Sequence, residues 1–193
     1  MNEHREQSEI LAHLDRPIVL VGLMGVGKTT VGRRLAARLG LRFCDADHEI
    51  EKAAGCCISD IFECYGETAF RDGERRVIAR LLDEKPQVLA TGGGAFINNT
   101  TREAILSKAF SVWLNADIDV LVERTSRRDT RPLLHSGDPH KILSELAAKR
   151  NPIYAEADIS VRTGHEPHEC VVNDIIHALS LHVKLSETST LND

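Results

Sequence analysis

A chain of 193 residues, 42% of them hydrophobic, is about one domain long and apolar enough to bury a core, which excludes wholesale disorder. Twenty-four Lys/Arg against 29 Asp/Glu leave a net charge of −5, and with only 4% aromatics this excludes a general nucleic-acid binder, which needs a basic surface and stacking rings. The best apolar run, 18–26, is far shorter than the roughly 20 residues of a membrane span; the first 16 residues lack the apolar stretch of a signal peptide, and Cys44, Cys56, Cys57, Cys64 and Cys170 form no C-x-x-C pair, so neither a zinc ribbon nor a disulfide framework is indicated and a reduced cytoplasmic location is expected.

Residues 1–16 are mostly polar and read as an N-terminal extension. The continuous apolar run 17–21, bounded by Pro17 and Gly22, is the pattern of a strand buried on both faces. A helical period opens at Lys28 with Val31, Leu35 and Leu39, and Gly40 is its stop signal. A short strand is expected at 41–44, then helices at 47–54 and 59–65, the latter with Ser59 as N-cap, and a longer helix at 67–83. A third strand at 87–91 ends in Gly92, Gly93 and Gly94. The remaining expectations are a helix at 100–108, a strand at 110–114, a helix at 117–127, a loop at 128–138, a helix at 139–150, a strand at 158–162 and a closing helix at 168–184 with a frayed tail at 186–193. Strands alternating with helices imply right-handed crossovers and a five-stranded parallel α/β sheet covered on both faces.

The first strand runs into Gly22-Leu-Met-Gly-Val-Gly-Lys28-Thr29, which fits G-x-x-x-x-G-K-[ST] in the strand-to-helix setting that this phosphate loop requires. Glycines let backbone N–H groups converge on phosphate oxygens, and the helix N-terminus adds a favourable dipole. The nucleotide-contacting stretch is Gly25, Val26, Gly27, Lys28, Thr29 and Thr30. Lys28 is expected to reach the β- and γ-phosphates and Thr29 to ligate Mg²⁺. The chain has neither the N-K-x-D signature of a GTPase nor the apolar strand ending in D-E of an ATPase module.

Asp45 and Asp47 follow the second strand at i and i+2; if the backbone stays extended their carboxylates point the same way, at the strand end where open α/β sheets bind ligands. A capping aspartate plus a solvated one is the competing reading. Arg71 and Glu74 lie at i and i+3 on one helix face, either a carboxylate orienting a guanidinium or an ordinary surface ion pair. The triplet Gly92–Gly94 offers a backbone that a ligand can approach closely, or a plain tight turn. Between residues 124 and 150, seven Lys/Arg against three Asp/Glu make a segment of net +4, suited to covering anionic substrates or to forming a solvated basic helix.

Together these residues resemble the shikimate kinase family. The match runs through the phosphate loop, Asp45-Ala-Asp47, Asp60-Ile-Phe62, Gly66-Glu67, Phe70-Arg71 with Glu74, the glycine triplet, Arg131-Pro-Leu-Leu134, Lys149-Arg150 and Tyr154. The resemblance implies a P-loop fold of the nucleoside monophosphate kinase type, with a shikimate-binding region at about 45–84 and a mobile lid at about 128–138 within one domain, 17–185. It implies transfer of the ATP γ-phosphate to the 3-hydroxyl of shikimate, with one Mg²⁺ per subunit. By the same resemblance, Lys28, Asp47 and Arg131 are catalytic, Thr29 and Asp45 hold the metal, and Arg124 and Pro167 flank adenine. Asp47, Arg71, Gly92, Gly93, Gly94 and Arg150 hold shikimate, Glu74 orients an arginine, and Phe62 and Phe70 wall the pocket. A monomer acting on small molecules, without nucleic acid or membrane, is expected. The competing functions are another small-molecule kinase, such as a gluconate kinase, and a nucleotide-binding module without transfer activity. Cys56-Cys57 departs from the family's usual residues. His165-x-x-His168-x-Cys170 fits no standard zinc spacing.

Overall fold

The computed structural model describes residues 14–126 and 137–190. Five strands, β1 (Ile18–Val21), β2 (Arg42–Asp45), β3 (Gln87–Ala90), β4 (Phe110–Asn115) and β5 (Ile159–Arg162), form one sheet in the order β2-β3-β1-β4-β5. Every pairing is parallel. β1 and β3 are fully buried along their length, because helices cover both faces; the one polar side chain among them, Gln87, donates to the Leu81 carbonyl at 3.0 Å. The helices are α1 (Lys28–Leu39), α2 (Ala46–Ala54), α3 (Ile58–Leu82), α4 (Asn99–Lys108), α5 (Ile118–Ser126), α6 (Pro139–Tyr154) and α7 (His168–Thr190), with a 3₁₀ turn at Ala95–Ile97. No described helix is long and apolar enough to cross a membrane.

From β1 the chain crosses to the sheet edge at β2, returns to β3 beside β1, and then passes to β4 on the other side of β1. The strand order therefore reverses about β1, and a crevice opens outside the carboxyl ends of β1, β3 and β4, which is where such sheets bind ligands. The phosphate loop and the glycine triplet both end there.

Most expected elements form, with differences that have local causes. The two helices expected at 59–65 and 67–83 both form, as the two parts of α3 on either side of a non-helical backbone at Gly66 (φ 78°, ψ 175°). Ser59 is not the N-cap: Cys57 holds that position without a side-chain bond, and the Ile58 N–H is met by Glu51 Oε1 at 3.1 Å instead. The backbone does not stay extended from Asp45 to Asp47, since α2 starts at Ala46 with Asp45 as its cap. α6 continues to Tyr154 with Pro152 inside it, and α7 continues past its expected end at 184 to Thr190. Leu14, placed in the extension by its sequence, is buried in the core, and the Arg16 guanidinium sits 4.5 Å over the Phe110 ring. The expected lid falls almost wholly on residues outside those described, as do most of the extension and 191–193.

Candidate active site

The phosphate loop leaves β1 and turns into α1 at Gly27, whose left-handed backbone (φ 99°) caps the helix without a side chain and leaves room in front of its first N–H groups. Lys28 Nζ folds back across the loop, donating to the carbonyls of Gly22 at 2.7 Å and Leu23 at 2.9 Å. One residue on, Thr29 Oγ1 donates to Asp45 Oδ2 at 2.9 Å. The other oxygen of Asp45 accepts the Asp47 N–H at 3.2 Å. Asp45 thus starts α2 and ties it to the phosphate loop. A hydroxyl and a carboxylate meeting beside a phosphate loop are hard oxygen donors. They suit Mg²⁺, which takes few protein ligands and leaves the remaining positions to water and nucleotide oxygens.

Asp47, in the first turn of α2, faces β3. A methyl group on Gly92 would lie 3.0 Å from Asp47 Oδ1 and 3.1 Å from Glu74 Oε1, so two carboxylates converge over one glycine. Burial, with the neighbouring charges of Asp45 and Glu74, pushes the Asp47 carboxyl up to about 6 despite the opposing pull of Lys28. Glu74 is almost fully buried, and burial raises its carboxyl too, against the pull of Arg71. Its Oε2 accepts from Arg71 Nη1 at 2.7 Å, while Oε1 has no partner among the described residues. The helical i, i+3 spacing that suggested an ion pair is therefore a buried carboxylate fixing a half-exposed guanidinium, not a surface bridge.

The guanidinium of Arg71 lies against Gly94, where a methyl group would come within 2.7 and 2.8 Å of its two terminal nitrogens. It also sits 5.0 Å from the ring centre of Phe70, which packs 4.6 Å from that of Phe62. Phe70 is buried and Phe62 is 39% exposed, so the aromatic wall has one inner and one outer member. From the opposite side, Arg150 Nη1 donates to the Gly93 carbonyl at 3.2 Å. The three glycines thus each take a different neighbour: Asp47 and Glu74 at Gly92, Arg150 at Gly93 and Arg71 at Gly94.

Arg124 leaves α5 to bind the Val26 carbonyl at 3.2 Å, Thr163 Oγ1 at 3.0 Å and the Gly164 carbonyl. It therefore joins the phosphate loop to the segment after β5, which ends at Pro167, whose carbonyl accepts the Cys170 N–H as α7 begins. Thr163, which bonds the Val26 carbonyl at 3.2 Å as well, carried no motif in the sequence. Tyr154, which the family match included without a role, bonds the Gly93 carbonyl; its i, i+4 spacing from Arg150 on one helix was the signal for that placement. Arg131 lies outside the described residues. Among the described residues no cluster suited to a metal forms from His, Cys, Asp and Glu alone, and His165, His168 and Cys170 make none.

The shikimate kinase family model matches residues 24–180. A shikimate kinase of Caulobacter vibrioides is 63% identical over 164 residues, covering 85% of this chain and 82% of that protein. Among solved structures, a shikimate kinase from Acinetobacter baumannii in complex with shikimate superposes with a TM-score of 0.81 at 39% identity, over 91% of this chain and 96% of the other. A gluconokinase from Sinorhizobium meliloti shares the fold, with a TM-score of 0.63 at 18% identity over 92% of this chain and 98% of the other. On its sequence, its fold and the residues gathered at its crevice, the chain belongs to the shikimate kinase family.

Proposed function

We infer that the crevice phosphorylates shikimate with ATP, forming shikimate 3-phosphate and ADP, and that its side chains divide the work as follows. The carrying observation is the convergence of Asp47, Glu74-held Arg71 and Arg150 on the glycine triplet, next to the phosphate loop. Arg71 and Arg150 are forks of the shape and charge that hold a carboxylate, and shikimate has one. Phe62 and Phe70 wall the ring. Asp47 accepts hydrogen bonds from the substrate hydroxyls and takes the proton of the attacking one; a carboxyl near 6 is mostly ionised at neutral pH yet basic enough for that transfer.

The nucleotide is assigned to Gly25, Val26, Gly27, Lys28, Thr29 and Thr30, with adenine between Arg124 and Pro167. Lys28 exchanges its loop carbonyls for phosphate oxygens, and Arg131 reaches the phosphates from the segment 128–138. Thr29 and Asp45 would hold Mg²⁺, which when bound neutralises phosphate charge. Catalysis is then mainly positioning and charge neutralisation, as phosphoryl transfer requires. We assign the reaction to a monomer, and five free thiols suit the cytoplasm. Neither nucleic acid nor membrane has a part in this reading.

A coupled ADP-release assay across shikimate, gluconate and nucleoside monophosphates tests it. Turnover with shikimate alone is expected; preference for gluconate would overturn the assignment of the arginine pair.

A further inference from the structure

One oxygen in the crevice has two donors. The Gly93 carbonyl accepts from Arg150 Nη1 at 3.2 Å and from the hydroxyl of Tyr154, one helical turn further along α6. Tyr154 is fully buried; its ring stacks near Phe96 at 6.3 Å and Trp113 at 6.2 Å between centroids. Burial also pushes its hydroxyl up to about 12, so it remains a donor at any physiological pH. The two donors differ in freedom. Arg150 sits on a long flexible stem, whereas the Tyr154 ring is wedged among aromatic neighbours and cannot leave.

We propose that Tyr154 is a positioning residue for the acceptor: it holds the Gly93 carbonyl so that Arg150 can leave that oxygen for the substrate carboxylate. The inference rests on the assignment of Arg150 and the glycine triplet to shikimate. An arginine that serves a carboxylate must give up its resting acceptor. Were it the sole donor, binding would strip a half-buried carbonyl of its partner and shikimate would bear that loss. With Tyr154 in place the carbonyl stays bonded in both states. The same bond fixes the Gly93–Gly94 peptide plane, and a trans peptide with its oxygen held toward Tyr154 directs the Gly94 N–H the opposite way.

The test is a double-mutant cycle on the full chain, reading shikimate dissociation constants by calorimetry with kcat, KM for both substrates and Tm. Tyr154→Phe should weaken shikimate about 10-fold, with kcat and the KM for ATP within about twofold. Arg150→Ala should weaken shikimate on its own. In the Arg150→Ala background the additional effect of Tyr154→Phe should vanish, because no donor then leaves the carbonyl on binding. Phe96→Leu, which disturbs the aromatic stack but keeps the hydroxyl, should lower Tm without the selective loss. Unchanged shikimate affinity in Tyr154→Phe, or an equal loss in both backgrounds or in Phe96→Leu, would overturn the role of the hydroxyl. Unchanged affinity in Arg150→Ala would instead overturn the underlying pocket assignment.

Discussion

Asp47 shows at one residue how function strains a fold. Its carboxyl is raised to about 6 because it is buried beside Asp45 and Glu74, and Lys28 only partly offsets them. Between its ordinary value of 3.8 and about 6 the native state binds more protons than the unfolded chain. The stability this group contributes is therefore present below about pH 4 and lost as pH rises through 6. At pH 8 the ionised carboxylate is a cost that Asp47→Asn removes. That variant should unfold several degrees higher at pH 8, given about 2–4 °C per kcal/mol for a chain of this size, and gain nothing at pH 4. The same substitution should lower turnover by about 10²–10⁴ if Asp47 takes the proton. A small loss of turnover with weak shikimate binding would make it a positioning residue only. In the wild-type enzyme, kcat/KM for shikimate should fall as pH drops through about 6, because protonated Asp47 can no longer accept. A flat profile from pH 5 to 8 would show that its ionisation is irrelevant.

Between elements, glycines decide which approaches are possible, and two of them separate function from stability. The atoms nearest a methyl group on Gly94 would be the end of the Arg71 side chain, which can swing away. Gly94→Ala should therefore fold with a Tm near that of the wild type and raise the KM for shikimate about 10-fold or more, leaving the KM for ATP alone. On Gly22 the methyl would lie 2.4 Å from the Leu114 backbone oxygen, on a backbone with φ of +133°. Gly22→Ala should consequently lose several degrees of Tm before any effect on one substrate can be read. Equal losses in the two variants, by thermal melts and steady-state kinetics, would refute this division. α2 and α3, which bring Asp47 and Arg71 to the triplet, are themselves joined by the largely buried Glu49, whose Oε2 accepts from Arg80 at 3.0 Å. The strands, the phosphate loop and the site motifs were legible because each is a local pattern. The partners were not. That Gly94 receives Arg71, or that Thr29 meets Asp45 from 16 residues away, depends on how α3 and α2 pack over the sheet. Likewise Asp45 serves as cap and as Thr29 partner at once, and its spacing from Asp47 suggested an extended segment where a helix begins.

Over the whole molecule the sheet order could be inferred only as parallel and five-stranded; the placement of β1 at its centre, with β3 and β4 on either side, is a tertiary fact. Its consequence is electrostatic. Lys28, Arg71, Arg124 and Arg150 come from separate elements, yet all project to the one crevice where the strand order reverses, in a chain of net charge −5. Two opposite salt dependences follow. If net charge governs the approach of anionic shikimate, added salt screens repulsion and tightens binding. If the crevice governs it, added salt screens attraction and weakens binding. The Debye length falls from about 30 Å at 0.01 M to about 10 Å at 0.1 M, so charges across the molecule are screened out first and those lining the crevice last. Field lines focused by a low-dielectric cleft favour the local cluster. Shikimate affinity should therefore fall several-fold between about 0.02 and 0.3 M NaCl, and Arg71→Ala should flatten that slope. An affinity that rises with salt would mean that the acidic surface outweighs the arginines, and that the crevice draws in its substrate by contact alone.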